Sequence, residues 1–282
     1  MLRHKRRRLL SSDGGSRSIE SGEEPLDTLH DHAVNDDAVM DDTLAAIHVL
    51  LSRYHAEFAS VGLPSLVLWH QIYCLVDNRT AVDQSIQRMR TNGLILTLRI
   101  SLPGPHATAI MLTSDYIAFM LQYTKQHRAT RIFAKVLRQL TKSPVVAATA
   151  FMDAVQALFR SRNRPPPPTS MLDLDLTHLV QRGFLVATTN LEVKQFYFSL
   201  PRLGMIITGV ARARSALTSL LKRQPYKQML EVDMRKKKLT CSCLSMDFHI
   251  LDMAGAALVG RVPSSQTFVL TLNIMDDDGT TR

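Results

Sequence analysis

The sequence predicts an α+β, mainly helical chain in which a group of helices closed by a β-hairpin occurs three times. Three observations carry this. Apolar residues recur at three-to-four residue spacing through most of 43–272, and short β-patterned runs come in pairs between those helical stretches. The first 42 residues lack any such pattern, while 45% hydrophobic residues over 282 leave the remainder enough apolar surface for a real core.

Residues 9–42 are rich in Ser, Gly, Asp and Glu and poor in bulky apolar side chains, so burial cannot offset the entropy of ordering them. A disordered tail is expected over 1–42. From Thr43 the residues Leu44, Ile47, Leu50, Leu51 and Tyr54 define a first helix, which Gly62-Leu63-Pro64 stops. A second apolar run, Leu66 to Val76, reads as a second helix. Val82, Ile86 and Met89 mark a third, ended by Asn92-Gly93, two residues that tolerate a left-handed backbone. The runs at 94–102 and 107–113 flank the turn Pro103-Gly104-Pro105 and form a hairpin. Three helices closed by a hairpin make a winged helix, here 43–113.

The pattern returns over 114–201, with helical stretches at 115–125, 129–142, 145–160 and 172–181, then β-runs at 184–189 and 195–200. It returns again over 202–273, with helices near 203–222 and 225–234, a short one from Met246 to Ala257, and β-runs at 257–262 and 267–272. The fold class expected is therefore three tandem winged-helix domains, followed by an acidic end at 274–282. The run Arg164-Pro165-Pro166-Pro167-Pro168-Thr169 falls inside the second unit just before a helix and reads as an inserted loop.

The net charge is +9 and the pI about 9.7, yet residues 11–42 carry ten Asp/Glu against the single Arg17. The folded part is thus more basic than the whole chain, which suggests a polyanionic partner. Arg3, Lys5, Arg6, Arg7 and Arg8 surround His4 in a cluster read as a nuclear import signal, with a loose phosphate-binding arm as the alternative. Cys74, Cys241 and Cys243 form no CxxC pair, so a reducing compartment fits better than a disulfide or zinc framework. No apolar run reaches bilayer length and no signal-peptide core follows the basic start, so a soluble intracellular protein with no membrane partner is expected.

The strongest site signal lies between Pro201 and Lys238. Ten Lys/Arg occur there (Arg202, Arg212, Arg214, Lys222, Arg223, Lys227, Arg235, Lys236, Lys237 and Lys238) against Glu231 and Asp233. Arg212, Arg214, Lys222 and Arg223 belong to one helix whose apolar face is filled by Leu217, Leu220 and Leu221, which offers a cationic rim to a phosphate backbone. Lys227 and the Arg235–Lys238 run extend it, with ordinary solvated charge as the competing reading. Arg79, Arg88 and Arg90 near the third helix of the first unit are scattered and read as solvated. Trp69 and Tyr73 have apolar neighbours and read as core. Asn78-Arg79-Thr80 fits a glycosylation acceptor only by chance in an intracellular chain.

Several ordered blocks resemble a known family. They are LPSLVLWHQIYCLVDNRTAVDQSIQRMRTNGLI (63–95), ATAIMLTSDY (107–116), LTHLVQRGFLV (176–186), ARSALTSLLKRQPYKQML (213–230) and LDMAGAALV (251–259). In them the chain resembles the serine/threonine-protein kinase 19 family, also described as a winged-helix repair factor, over roughly 44–272. The resemblance implies three winged-helix domains, binding to double-stranded DNA, a nuclear location, and work with transcription and repair proteins in transcription-coupled nucleotide excision repair. The family's basic positions match Arg212, Arg214, Lys222, Arg223 and Lys227, whereas a Lys before the family's Tyr falls here on Pro225.

The kinase in the family name finds no chemistry in the sequence. There is no Gly-rich phosphate loop, no strand Lys with a helical Glu partner, no HRD-like loop and no DFG, and Asp278-Gly279 sits at the C-terminal end. Ten scattered histidines form no HExxH or Cys/His cluster. No catalytic residue, metal or cofactor is expected. The function expected is non-enzymatic duplex DNA binding as a positioning factor in repair, with a protein-interaction scaffold lacking direct DNA contact as the alternative.

Overall fold

The ordered body starts with a cap. The Asp41 carboxylate accepts a hydrogen bond from the Thr43 amide at 3.2 Å and opens α1 (Asp42–Arg53), so Asp41 and Asp42 belong to the folded part rather than to the expected tail. This computed structural model describes residues 41–102, 107–189, 193–265 and 267–273. The expected tail before Asp41, its Arg3 and Lys5–Arg8 cluster, the Pro103-Gly104-Pro105 turn and the acidic end at 274–282 lie outside the described residues.

After α1 come α2 (His55–Ser60), β1 (Val67–Leu68), α3 (Trp69–Ile72), α4 (Arg79–Thr91) and the hairpin β2 (Ile95–Ile100) with β3 (Ala107–Leu112). The second stretch holds α5 (Thr113–Tyr123), α6 (Arg128–Leu140), β4 (Val145–Ala147), α7 (Ala148–Ser161), α8 (Thr169–Gln181), β5 (Leu185–Ala187) and β6 (Gln195–Phe198). The third holds α9 (Leu203–Lys222), a 3-10 turn (Pro225–Lys227), β7 (Gln228–Leu230), α10 (Glu231–Arg235), α11 (Met246–Gly255), β8 (Val259–Pro263) and β9 (Phe268–Leu272).

Each stretch builds one three-stranded antiparallel sheet with the same connectivity: β1-β3-β2, β4-β6-β5 and β7-β9-β8. The expected hairpins supply two strands of each sheet. The outer strand in each case corrects the sequence reading, which placed those residues in helices. Val67 and Leu68 pair with Ile110 and Ala109 of β3, and Val145–Ala147 pair with Tyr197–Gln195 of β6. Gln228–Leu230 pair with Thr271–Val269 of β9. Two- and three-residue strands carry no period of their own, and pairing with a preformed hairpin outweighs the helical pattern of their neighbours.

The described residues from Asp41 onward pack as one compact unit with two clusters of buried side chains. The larger runs through α1, α4, α6, α7 and α8 and takes in Leu203, Ile206 and Val210 of α9 with Phe248 and Leu251 of α11. It therefore crosses the boundary expected at 201–202. The smaller cluster gathers Leu217 and Leu221 of α9, Met234, Ile250, Met253 and Leu270.

Helix α11 is the main joint between the third stretch and the first. Eight of its ten residues are buried, far more than the one-sided burial of a surface helix. It lies so close to α3 that a Cβ on Gly255 would stand 2.0 Å from the His70 carbonyl oxygen. Gln71 donates through Nε2 to the Phe248 carbonyl at 3.0 Å, and the Ser245 amide donates to the Glu57 carboxylate at 2.7 Å. The Tyr54 and Phe248 rings meet edge to face at 5.1 Å.

Candidate nucleic-acid interface

The basic segment from Arg202 to Lys238 is divided by the fold into cations that hold the protein together and cations that face solvent. Arg214 belongs to the first group, which corrects its expected role as a DNA contact. Its side chain is buried and forks onto Asp252 of α11, with Nε 2.8 Å from Oδ2 and Nη2 2.6 Å from Oδ1. His70 Nε2 of α3 closes the same carboxylate at 2.7 Å. Burial acts to raise the Asp252 pKa, but the hydrogen bonds from Arg214 and His70 outweigh it and hold the carboxyl below its ordinary range.

Arg235 is likewise committed. Its guanidinium bridges Glu231 at 2.7 Å and Asp247 at 2.8 Å, and Glu231 is also gripped by Arg261 at 2.7 Å. Lys236 pairs with Asp233 at 2.9 Å, but that pair is well exposed and weak enough to exchange for another anion. Arg202 sits at a left-handed backbone position, φ 67°, and donates to the Val61 carbonyl at 3.4 Å.

The second group is Arg212, Lys222, Arg223, Lys227, Lys237 and Lys238. All are exposed, and none forms an ion pair among the described residues. Arg212, Lys222 and Arg223 face outward together because of how α9 is anchored. Leu203, Ile206, Val210, Ala213, Leu217 and Leu221 fill its buried face, so Arg212, Ser215, Ala216, Ser219, Lys222 and Arg223 share the outer one. Cations thus stand at the two ends of a row of small residues, Arg212 and Lys222 lying about 15 Å apart along the axis. Small side chains between them let a thick, charged rod approach the helix surface.

At the C-terminal end of α9 the chain makes the Pro225–Lys227 turn, in which both Tyr226 (φ 55°) and Lys227 (φ 54°) adopt left-handed backbone. Neither is glycine, so the turn stores strain of the kind found at functional sites. Its product is an aromatic ring held in solvent: Tyr226 is 91% exposed. An open cleft of about 470 Å³ lies beside the turn, lined by Gln224, Gln228, Met229, Leu230, Asp233, Lys236 and Lys237. The cleft brings the second basic run next to the first. The sequence reading missed Tyr226, although a Pro-Tyr pair among Lys222, Arg223 and Lys227 was the signal for it.

Among the first-unit residues Arg90 departs from the solvated reading, since it is half-buried and its Nε has no partner among the described residues. Trp69 and Tyr73 pack partly buried against the core and donate to the Asp83 carboxylate at 2.7 and 2.6 Å. Arg79 lies over the Tyr73 ring at 5.2 Å, and Arg90 bonds Gln87 at 2.7 Å. The third helix of the third stretch, α11, is occupied by its contacts with α3 and has no free face to enter a groove. Among the described residues no His, Cys, Asp and Glu group forms a metal site, and no helix is long and apolar enough to cross a membrane.

A family model described as inactive serine-threonine protein kinase 19 matches residues 45–261. The chain is similar to winged helix repair factor 1 of Xenopus laevis, 26% identical over 83% of this chain and 84% of that protein. It is similar to the Homo sapiens protein of the same name at 24% identity over 81% of this chain and 84% of the relative. The Mus musculus protein is 22% identical over 95% of this chain and 98% of its own length.

Proposed function

Because the chain belongs to the family described as inactive serine-threonine protein kinase 19, we propose that it is a non-catalytic nuclear protein that binds double-stranded DNA and positions repair and transcription factors in transcription-coupled nucleotide excision repair. It does so as three tandem winged-helix domains at 43–113, 114–201 and 202–273. The family's description as inactive agrees with a sequence that has no phosphate loop, catalytic loop or metal-binding triad. The repair role is carried from the relatives, which are named winged helix repair factor 1. The repeated sheet connectivity, each sheet closed by a hairpin that follows the helices, supports the winged-helix reading.

One observation carries the DNA assignment: Arg212, Lys222 and Arg223 are exposed without carboxylate partners among the described residues on the outer face of α9 and its cap, and the small residues between them leave room for a duplex. Nothing in that arrangement selects a base sequence. The contacts expected are to phosphates, with Arg212 at the middle of α9, Lys222, Arg223 and Lys227 at and after its C-terminal end, and Lys237 and Lys238 from the second basic run. Arg214 and Arg235 act at one remove, by fixing α9 and α10 in the orientation that presents those cations.

The test is duplex binding across a salt series with Lys222, Arg223 and Lys227 replaced together by Ala. Each lost phosphate contact lowers the slope of log affinity against log salt by about 0.9, so the triple variant is expected to lose roughly 2 to 3 in slope, equally on unrelated duplexes. A variant with the affinity and slope of the unmodified protein would leave the scaffold reading in place of the DNA one.

A further inference from the structure

We propose a second nucleic-acid backbone site, on α6 of the second stretch, formed by Arg131, Lys135, Arg138 and Lys142 and reinforced by Arg162. It rests on the duplex-binding reading above and extends it to a surface that neither the basic segment 202–238 nor the family comparison indicates. Residues 131, 135 and 138 stand at i, i+4 and i+7 and therefore share one face of α6, and Lys142 follows two residues past the end of the helix. All four are exposed, while Ala129, Phe133, Val136, Leu137 and Leu140 bury the opposite face. The helical part of the stripe runs about 10 Å with one positive charge every turn, and Lys142 extends it past the C-cap.

Three features separate this stripe from ordinary solvated charge. No Asp or Glu occurs between Arg128 and Lys142, and none of the four forms an ion pair among the described residues. Arg128, one turn earlier, is the exception that shows the contrast, since it is tied to Asp175 at 3.0 Å. The charges also run against helix electrostatics. Arg131 sits near the N-terminal end, whose first turn holds no acidic residue, although the macrodipole there favours carboxylates. A sequence arranged for helix stability would place Glu where this one places Arg.

The stripe is also reinforced from the neighbouring helix. Arg162 caps α7 and, with Arg131 and Arg164, lies close enough to Lys135 for their like charges to add to its burial in lowering its pKa from the ordinary lysine value. Pro165, Pro166, Pro167 and Pro168 follow at once, and consecutive prolines stiffen the loop that carries these arginines. Holding like charges together on a rigid support costs stability, and a ligand that is a line of anions recovers it. Arginine predominates, which suits bidentate contact with phosphate oxygens. A duplex backbone is the linear polyanion whose repeat a helical stripe of this length can follow.

The experiment compares three full-length proteins on unrelated duplexes across a salt series. They are the unmodified chain, the Arg131→Gln/Lys135→Gln/Arg138→Gln/Lys142→Gln variant, and the α9 triple variant. The stripe variant is expected to melt like the unmodified protein and to lose up to roughly 3.6 in salt slope, about 0.9 for each phosphate released. Loss of slope in the α9 variant with none in the stripe variant overturns the α6 site alone. Absence of duplex binding by the unmodified chain overturns the duplex reading and this site with it. Amine labelling of the unmodified protein needs no variant: Lys135 and Lys142 should be protected by saturating duplex, and free-protein labelling rates in the complex would overturn the site.

Discussion

His249 and Arg214 both feel the Asp252 charge, and their surroundings assign them opposite roles. Arg214 forks onto Asp252, and removing that carboxylate would leave the guanidinium buried and without its partner. His249, fully buried one turn before Asp252, finds no hydrogen-bond partner for Nδ1 or Nε2 among the described residues. Burial, with the Arg214 charge adding to it and Asp252 opposing, pushes its pKa down from 6.5 to about 4. The unfolded chain therefore binds this proton below about 6.5 and the folded one only below about 4. Stability is fully present above 6.5 and falls as pH drops through that window, by about 3 kcal/mol in all. Urea unfolding at pH 7.5, 6 and 5 should show the fall, and His249→Leu should remove that part of it without loss at pH 7.5. A variant as acid-sensitive as the parent would assign the effect elsewhere. These residues also mark the limit of reading a site from sequence. The exposure of Lys222, Arg223 and Lys227 was legible, because cations that cluster without acids seldom enter a core. Arg214 was not, because its partner lies 38 positions away on another helix.

At the level of elements, the contact of α3 with α11 is the most demanding joint in the fold. Gly255 ends α11, and intrinsic propensity alone predicts that Ala there gains about 1 kcal/mol. The structure predicts the reverse. A methyl group 2.0 Å from the His70 carbonyl oxygen must force two backbones apart, and those backbones also carry the bonds from Gln71 and Glu57. Gly255→Ala is expected to lose about 3 kcal/mol in chemical denaturation, and a neutral or positive change would mean that α3 is free to move. The longer helices and all three hairpins could be read from period and turn residues, because those signals are local. The outer strands β1, β4 and β7 could not, since each exists only where a distant hairpin offers it an edge. The near-complete burial of α11 was equally hidden: its sequence, MDFHILDMAG, is apolar enough for a core helix but does not say whose core.

The whole molecule combines a repeated topology with a core that does not repeat. Three sheets share one connectivity, yet Leu203, Ile206 and Val210 of α9 and Phe248 and Leu251 of α11 are packed into the cluster built by the first two stretches. The third stretch keeps only the smaller cluster for itself. Arg53 and Arg235 meet on Asp247, so the same joint is fastened electrostatically at its rim. Residues 202–273 expressed alone would expose those five large apolar side chains and leave Asp252 without His70. Their apolar burial is worth about 1.5–3 kcal/mol each when complete, a sum as large as the total stability of a typical small domain. The isolated fragment is therefore expected to show poor amide dispersion and rapid proteolysis, whereas residues 41–273 should fold cooperatively in a single transition. A well-dispersed spectrum from 202–273 would show that the smaller cluster suffices. The surface that presents Arg212, Lys222, Arg223 and Lys227 would then be a portable module rather than one face of an indivisible body.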